Sequence, residues 1–573
     1  MFREFNLNNL LLTKYIFFTG KGGVGKTSLS SSLAINLADD GKKVLLLSTD
    51  PASNLQDIFK TGVSNKPEAV KEIPNLYILN LDPEKAAAEH RESVLSMYRG
   101  ILPEAALVNM EEQLSGSCTT EIAAFNEFTT VLTNEKLNRE FDHIIFDTAP
   151  TGHTLRMLEL PAAWNGYIET TGGNASCLGQ LSGLSEKKHL YENSVSTLKD
   201  KNKTTTYLVS RPQQLAVNEV LRTSKELKEL NINNQIVIFN YVLKNCVKGD
   251  MLSESFYNSQ QTVLNNLPFE MNTFEKYISY LMPFNIVGID NIRNLISGKS
   301  FAPNVIDKKA ELIKNVKNLN QLIEDLHNSK KKVIFTMGKG GVGKSTMACE
   351  IAKGLIAKNA KVHLTTTDPA AHLKHLIKSD NNLRVTEINP KIEIENYQNQ
   401  ILAEASKTMT QENIDYIKED LMSPCTEEIA VFKAFADIVA SAGEEIVVID
   451  TAPTGHTLLL LDTTQSYARE AARAAHKEET SITKLLPRLR DKNFTEIIIV
   501  TLAEATPYYE SIRLKEDLAR AGIVSDTFII NNVTANIETK DIILKQRNIA
   551  EAEWINRITK EIPNVYLSEY KTR

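Results

Sequence analysis

A chain of 573 residues has room for two to four domains at roughly 150 residues each. Hydrophobic residues make up 42% and charged residues 24%, which argues against a disordered or fibrous chain, and Lys+Arg 65 against Asp+Glu 71 offers no basic face to a nucleic-acid partner. No apolar run of about 18 residues is present to cross a membrane, no secretory cleavage pattern opens the chain, and five cysteines without a C-x-x-C make neither a disulfide framework nor a zinc ribbon, so a cytoplasmic protein is expected.

Taken in chain order, the first strong element is the β-rich run KYIFFTG. It leads into Gly20-Lys21-Gly22-Gly23-Val24-Gly25-Lys26-Thr27-Ser28 and then a helical pattern, SLSSSLAINLADDGKK. KVLLLSTD ends at Asp50, CTTEIAAF begins at Cys118, and HIIFDTAP brings Asp147, with His153 just after it in TGHTL. Cys177 lies in NASCLGQLSGL. TTYLVS and QIVIFN follow, the latter ending at Asn240. A polar stretch of helical spacing, ELIKNVKNLNQLIEDLHNSKKK, reads as a connection with a solvated face. The pattern then starts again. KVIFTMG leads into Gly338-Lys339-Gly340-Gly341-Val342-Gly343-Lys344-Ser345-Thr346, and KVHLTTTD ends at Asp368. CTEEIAVF begins at Cys425, IVVIDTAP carries Asp450, TGHTL carries His456, and EIIIVTL and TFIIN lead to Asn531.

The same motifs in the same order mean two tandem copies of one domain. Their separation falls from 318 residues at the glycine loops to 291 at the Asn240 and Asn531 segments, so the first copy is the longer. Near-continuous apolar strands alternating with helical patterns indicate parallel sheets buried on both faces. The expected fold class is α/β: two tandem doubly wound, mostly parallel sheets arranged as a pseudo-dimer. The expected division is 1–290 for the first domain, 291–332 for the connection and 333–573 for the second domain.

Both loops match G-x-x-x-x-G-K-[ST] between a strand and a helix, the context in which this pattern binds nucleotide phosphates. Glycines let backbone N–H groups approach phosphate oxygens, and the helix N-terminus adds partial positive charge. Lys26 and Lys344 should reach the β- and γ-phosphates of ATP, and Thr27 and Ser345 should place hydroxyls on Mg²⁺. Lys21 and Lys339 mark a deviant loop, in which a second lysine crosses to a nucleotide held by the facing copy. Asp50, Asp368, Asp147 and Asp450 end strands at the crevice where open α/β sheets bind ligands. Spacing does not say which pair holds Mg²⁺ and which orients water. Asn240 and Asn531 follow later strands in matching positions and are candidate adenine contacts or turn residues.

The tandem K-G-G-V-G-K-[ST] loops with DTAPTGHT resemble the arsenical pump-driving ATPases over nearly the whole chain. That family stands with the partition-type, nitrogenase-iron-protein and tail-anchored-protein-targeting ATPases. The resemblance implies two nucleotide sites at a pseudo-twofold interface, and ATP hydrolysis stimulated by arsenite or antimonite. It also implies docking on a membrane arsenite permease at the inner face of the cell membrane, delivery of metalloid by a cytosolic metallochaperone, and a monomer that is its own pseudo-dimer. It further implies a metalloid site built from cysteines of both halves: Cys118, Cys177 and Cys425 here. Thiolates suit soft As(III) and Sb(III). His153 and His456 are candidate further ligands or relays, and Cys246 and Cys349 read as structural. On this reading metalloid draws the copies together, and closure brings each deviant lysine onto its nucleotide. The competing readings are an ATP-driven targeting chaperone for tail-anchored proteins, which usually has a C-x-x-C zinc site, and a partition-type ATPase.

Overall fold

The structure is a computed structural model. It describes residues 2–572 except 50–54, 62–63, 102, 105–106, 108–109, 112–116, 149–187, 284–287, 297–312, 314–315, 368–372, 379, 409, 412–413, 415–416, 419–420, 422–424 and 452–480. The first half contributes strands β1 (Phe2–Glu4), β2 (Tyr15–Thr19), β3 (Val44–Ser48), β4 (Glu68–Ala69), β5 (Leu76–Asn80), β6 (His143–Asp147), β7 (Thr204–Ser210), β8 (Gln235–Val242) and β9 (Glu275–Tyr280). The second contributes β10 (Lys317–Asn318), β11 (Val333–Met337), β12 (Val362–Thr366), β13 (Leu383–Glu387), β14 (Ile446–Asp450), β15 (Thr495–Thr501), β16 (Thr527–Val533) and β17 (Asn564–Glu569). The sheet orders are β1-β9-β8-β7-β2-β6-β3-β5-β4 and β10-β17-β16-β15-β11-β14-β12-β13. They match strand for strand apart from β4, whose pairing with β5 is antiparallel. The expected α/β class with two mostly parallel sheets is what the chain forms.

Each sheet is covered on both faces, which is why its central strands read as unbroken apolar runs. All five residues of β2 are buried. Tyr15 and Phe17 point to one side with Leu45, Phe146, Phe125 and Phe128. Ile16 and Phe18 point to the other, against Leu29 and Leu33 of the Lys26–Asp39 helix. The second half repeats this with Phe335, Ile449 and Phe432 on one face and Ile334, Val448 and Ile351 on the other. Each such buried side chain contributes about 1.5–3 kcal/mol, so these central strands are the rigid frame from which the loops project.

Segments that sequence patterning passed over are the flanking strands. EKYISY and NVYLSE form β9 and β17, and LYILN and LRVTE form β5 and β13. These alternate or carry charge because they lie toward the sheet margins. The polar connection also gains structure from its neighbours. Lys317–Asn318 adds to β17 as an edge strand, and the Leu319–Ser329 helix begins with a capping box at Asn318 and Gln321. That helix buries Leu322, Ile323 and Leu326 against the second half.

Candidate active site

The phosphate-loop strands β2 and β11 sit mid-sheet, each between the strand bearing an aspartate (β6, β14) and the next strand outward (β7, β15). Each loop therefore emerges at the carboxyl ends of three neighbouring parallel strands. Gly25 and Gly343 precede the helices Lys26–Asp39 and Lys344–Ile356 in the left-handed region, at φ +92° and +97°. A Cβ on either would lie 2.2 Å from Asn240 Nδ2 or 2.1 Å from Asn531 Nδ2. Those asparagines tie the loops down. Asn240 Nδ2 donates to Val24 O at 2.9 Å, and Asn531 Nδ2 donates to Val342 O at 2.9 Å. Each Oδ1 accepts the next residue's N–H, from Tyr241 and Asn532, at 2.9 Å. Both following residues are also left-handed, at φ +62° and +58°. Sequence reasoning offered adenine contact or a turn for these positions; their side chains brace the loops.

Lys26 and Lys344 are buried at the helix starts. Lys26 Nζ donates to Gly20 O at 3.0 Å, and Lys344 Nζ to Lys339 O at 3.2 Å, so each ammonium curls over its own loop. Thr27 Oγ1 donates to Asp147 Oδ2 at 2.7 Å, and Ser345 Oγ to Asp450 Oδ2 at 2.6 Å. The two aspartates are almost wholly buried at the ends of β6 and β14. Thus the structure brings hydroxyl and carboxylate together at the same corner in both halves.

The loops also meet each other. A Cβ on Gly22 would stand 2.4 Å from Gly340 Cα, and one on Gly340 would stand 2.6 Å from Gly22 Cα. Only glycine permits this backbone-on-backbone approach. A cavity opens beside the first loop, where Gly23, Lys26, Thr27 and Ser28 face Lys339, Glu504, Thr506, Glu510 and Arg547 of the second half. Lys339 pairs with Glu510. Arg547 pairs with Glu504 at 2.7 Å. The Arg211 guanidinium lies 4.3 Å from the centre of the Tyr241 ring, and burial pushes the Tyr241 hydroxyl's pKa up.

Sequence reasoning missed Arg211, Tyr241, Glu504, Glu510 and Arg547. One signal was available: Glu219 and Glu510 occupy matching places on the helices that follow β7 and β15. Asp50, Asp368, His153, His456 and Cys177 lie outside the described residues. Cys118 and Cys425 lie at the starts of the matching helices Ser117–Thr133 and Cys425–Ser441, with their side chains outside the description. Cys349 is buried on the helix after the second loop, and burial pushes its thiol up to about 12, as befits an inert core cysteine. No described helix is long and apolar enough to cross a membrane.

The sequence profile of an anion-transporting ATPase family matches residues 13–298, 331–480 and 462–572. An arsenical pump-driving ATPase of Escherichia coli is 42% identical over 549 residues, covering 96% of this chain and 94% of the relative. One from Acidiphilium multivorum is 43% identical over 550 residues with the same coverage. An ATPase ASNA1 homolog of Paramecium tetraurelia is 33% identical but meets only 40% of this chain. With the loops, their helices and their tandem arrangement all in place, the chain belongs to the anion-transporting ATPase family and is an ATP hydrolase.

Proposed function

We propose that the chain hydrolyses ATP at two sites shared between its halves, and that this drives export of arsenite or antimonite through a membrane permease. The observation that carries the shared-site part is the cavity beside the first loop, whose far wall, Lys339 included, comes from the second half. A nucleotide there would meet its own loop through Lys26 and the opposite half through Lys339. By the repeat, Lys21 serves the second site beside Lys344. The export part comes to this chain from the names of its full-length relatives. The Paramecium tetraurelia relative aligns with only 40% of this chain, too little to account for a tandem build.

Magnesium fits the corner at Thr27 and Asp147, and that at Ser345 and Asp450. Both offer hard oxygen donors beside a phosphate cradle. When bound there, Mg²⁺ neutralises phosphate charge. Asp50 and Asp368, which follow β3 and β12 in the sequence, complete the proposal as water-orienting or Mg²⁺-supporting carboxylates. The metalloid is assigned to Cys118, Cys177 and Cys425, with His153 and His456 as further ligands or relays. Metalloid bridging would favour the closed arrangement and so raise turnover. The chain would work as a cytoplasmic monomer, docked on the permease at the inner membrane face and supplied by a metallochaperone. Its domains would be 1–290 and 333–573, joined by 291–332, of which Lys317–Ser329 packs onto the second half.

The test is antimonite stimulation of ATPase across single Cys→Ser variants. Serine replaces a soft thiolate by a hard, rarely ionised hydroxyl. Cys118→Ser, Cys177→Ser and Cys425→Ser should each need at least about tenfold more antimonite for the same stimulation, one decade being about 1.4 kcal/mol of lost binding. Cys246→Ser and Cys349→Ser should respond as the unaltered chain does. Loss of stimulation confined to the last two would overturn the site.

A further inference from the structure

Glu510 is a buried carboxylate in a wall that should receive phosphate. It is 5% exposed and projects from the Ala505–Arg520 helix into the cavity beside the first loop. A carboxylate so placed repels an anionic ligand unless a cation answers it. Lys339 does, in an ion pair whose side chains are 17% and 3% exposed. The cavity's other second-half acid, Glu504, is likewise held by Arg547. Lys339 lines the same cavity as Lys26 and Thr27. Its ammonium therefore stands between two anions, the Glu510 carboxylate and any phosphate on the first loop. In the first half the matching Glu219 accepts from Arg222, three residues along its own helix, at 2.7 Å.

We propose that Glu510 is a retaining counter-ion for Lys339, a positioning residue that holds the ammonium back from the first-site phosphate until the halves close. It thereby sets the first site's turnover in the absence of metalloid. This rests on the reading that Lys339 acts on the nucleotide of the opposite half. In the first half the corresponding carboxylate, Glu219, is engaged by Arg222. Closure by metalloid favours the lysine–phosphate contact over the lysine–carboxylate contact, and no covalent step is required of Glu510.

The experiment measures ATPase with and without antimonite in Glu510→Gln, Lys339→Ala, the double variant and Glu219→Gln, each checked for a cooperative thermal melt. Glutamine keeps the shape and removes the charge. Glu510→Gln should raise metalloid-free kcat about tenfold, the scale of one charge partner acting on a partly buried ammonium, and leave the antimonite-stimulated rate little changed. Glu219→Gln should leave the metalloid-free rate unchanged, and the gain should vanish in Lys339→Ala/Glu510→Gln. A folded Glu510→Gln protein whose metalloid-free rate is at or below the original overturns the proposal. So does a gain that survives the double substitution, because it would not run through Lys339. Full stimulated turnover in Lys339→Ala alone would instead sink the opposite-half reading, and is seen separately. If Glu510→Gln does not fold, Glu510→Asp, with its carboxylate drawn back, must give a smaller rise in the same direction; no rise overturns the proposal.

Discussion

Thr27 Oγ1 and Asp147 Oδ2 lie 2.7 Å apart, and Ser345 Oγ and Asp450 Oδ2 lie 2.6 Å apart. Such a pair has two uses: it fixes the hydroxyl's direction, and it brings one negative charge to the mouth of the phosphate loop. Asparagine separates them, because its carbonyl still accepts from the hydroxyl while the charge is gone. Asp147→Asn and Asp450→Asn should each weaken Mg²⁺ affinity about 10- to 100-fold, the usual effect of altering a group that orients a metal ligand. ATP binding without Mg²⁺ should change little. Titrating ATPase against Mg²⁺ checks this, and unchanged curves in both variants would make the aspartates purely structural. These aspartates were visible in the sequence because each repeats at a strand end. Glu510 was not, because nothing in one helix tells which lysine it will face.

Among the elements, the helix Leu319–Ser329 shows how a polar stretch becomes part of a domain. Its three buried apolar residues fall on one face, and Gly354 on the Lys344–Ile356 helix admits that face closely. A Cβ at Gly354 would lie 2.4 Å from Ile323 Cδ1 and 2.8 Å from its Cγ2. Alanine at a helix interior gains about 1 kcal/mol over glycine, whereas overpacking costs about 1–3 kcal/mol. Crowding at two Ile323 atoms makes the second effect win. Gly354→Ala should therefore lower stability by about 1 kcal/mol. Trimming the neighbour, in Ile323→Val/Gly354→Ala, should recover part of it. Urea midpoints of the two proteins decide the matter, and a stabilised single variant would mean that the helices move apart at little cost. Sequence patterning saw the helix but not its burial, since its charged face dominates its composition.

On the scale of the molecule, the halves touch at more than their loops. Asp250 caps the helix Met251–Asn265 through Ser253 N, and also accepts from Thr539 Oγ1 at 2.8 Å and from Lys540 N–H. Asp541 caps the helix Ile542–Glu561, and accepts from Ser253 Oγ at 2.9 Å. Each cap thus bonds the other half, beside a shared apolar cluster of Leu243, Leu252, Leu281 and Leu544. Burial alone would raise the pKa of Asp250, but the bonds from Ser253, Lys540 and Thr539 outweigh it and hold it below the ordinary carboxylate value. A depressed folded pKa contributes stability above the unfolded value, and that contribution is lost as pH falls through the folded one. Asp250→Asn should cost about 1–3 kcal/mol at pH 7. The gap to the unaltered chain should narrow below about pH 4, where the carboxyl of the unfolded chain also protonates. Urea midpoints across that range test the sign, and a gap that widens in acid would contradict it.

The repeat, the two phosphate loops and the α/β class were legible in the sequence because they rest on local pattern. Glycines are needed wherever the backbone must turn left-handed, and unbroken apolar runs are needed wherever a strand is covered on both sides. The central strands bearing Asp147, Asp450, Asn240 and Asn531 were legible for the same reason. What the sequence could not state is how residues hundreds of positions apart come together: Gly22 against Gly340, Lys339 in the cavity of the first loop, Asp250 on the cap of the other half. Those contacts follow from packing two cores against each other. Packing at that range depends on the shapes of whole faces, which no window of neighbouring residues contains.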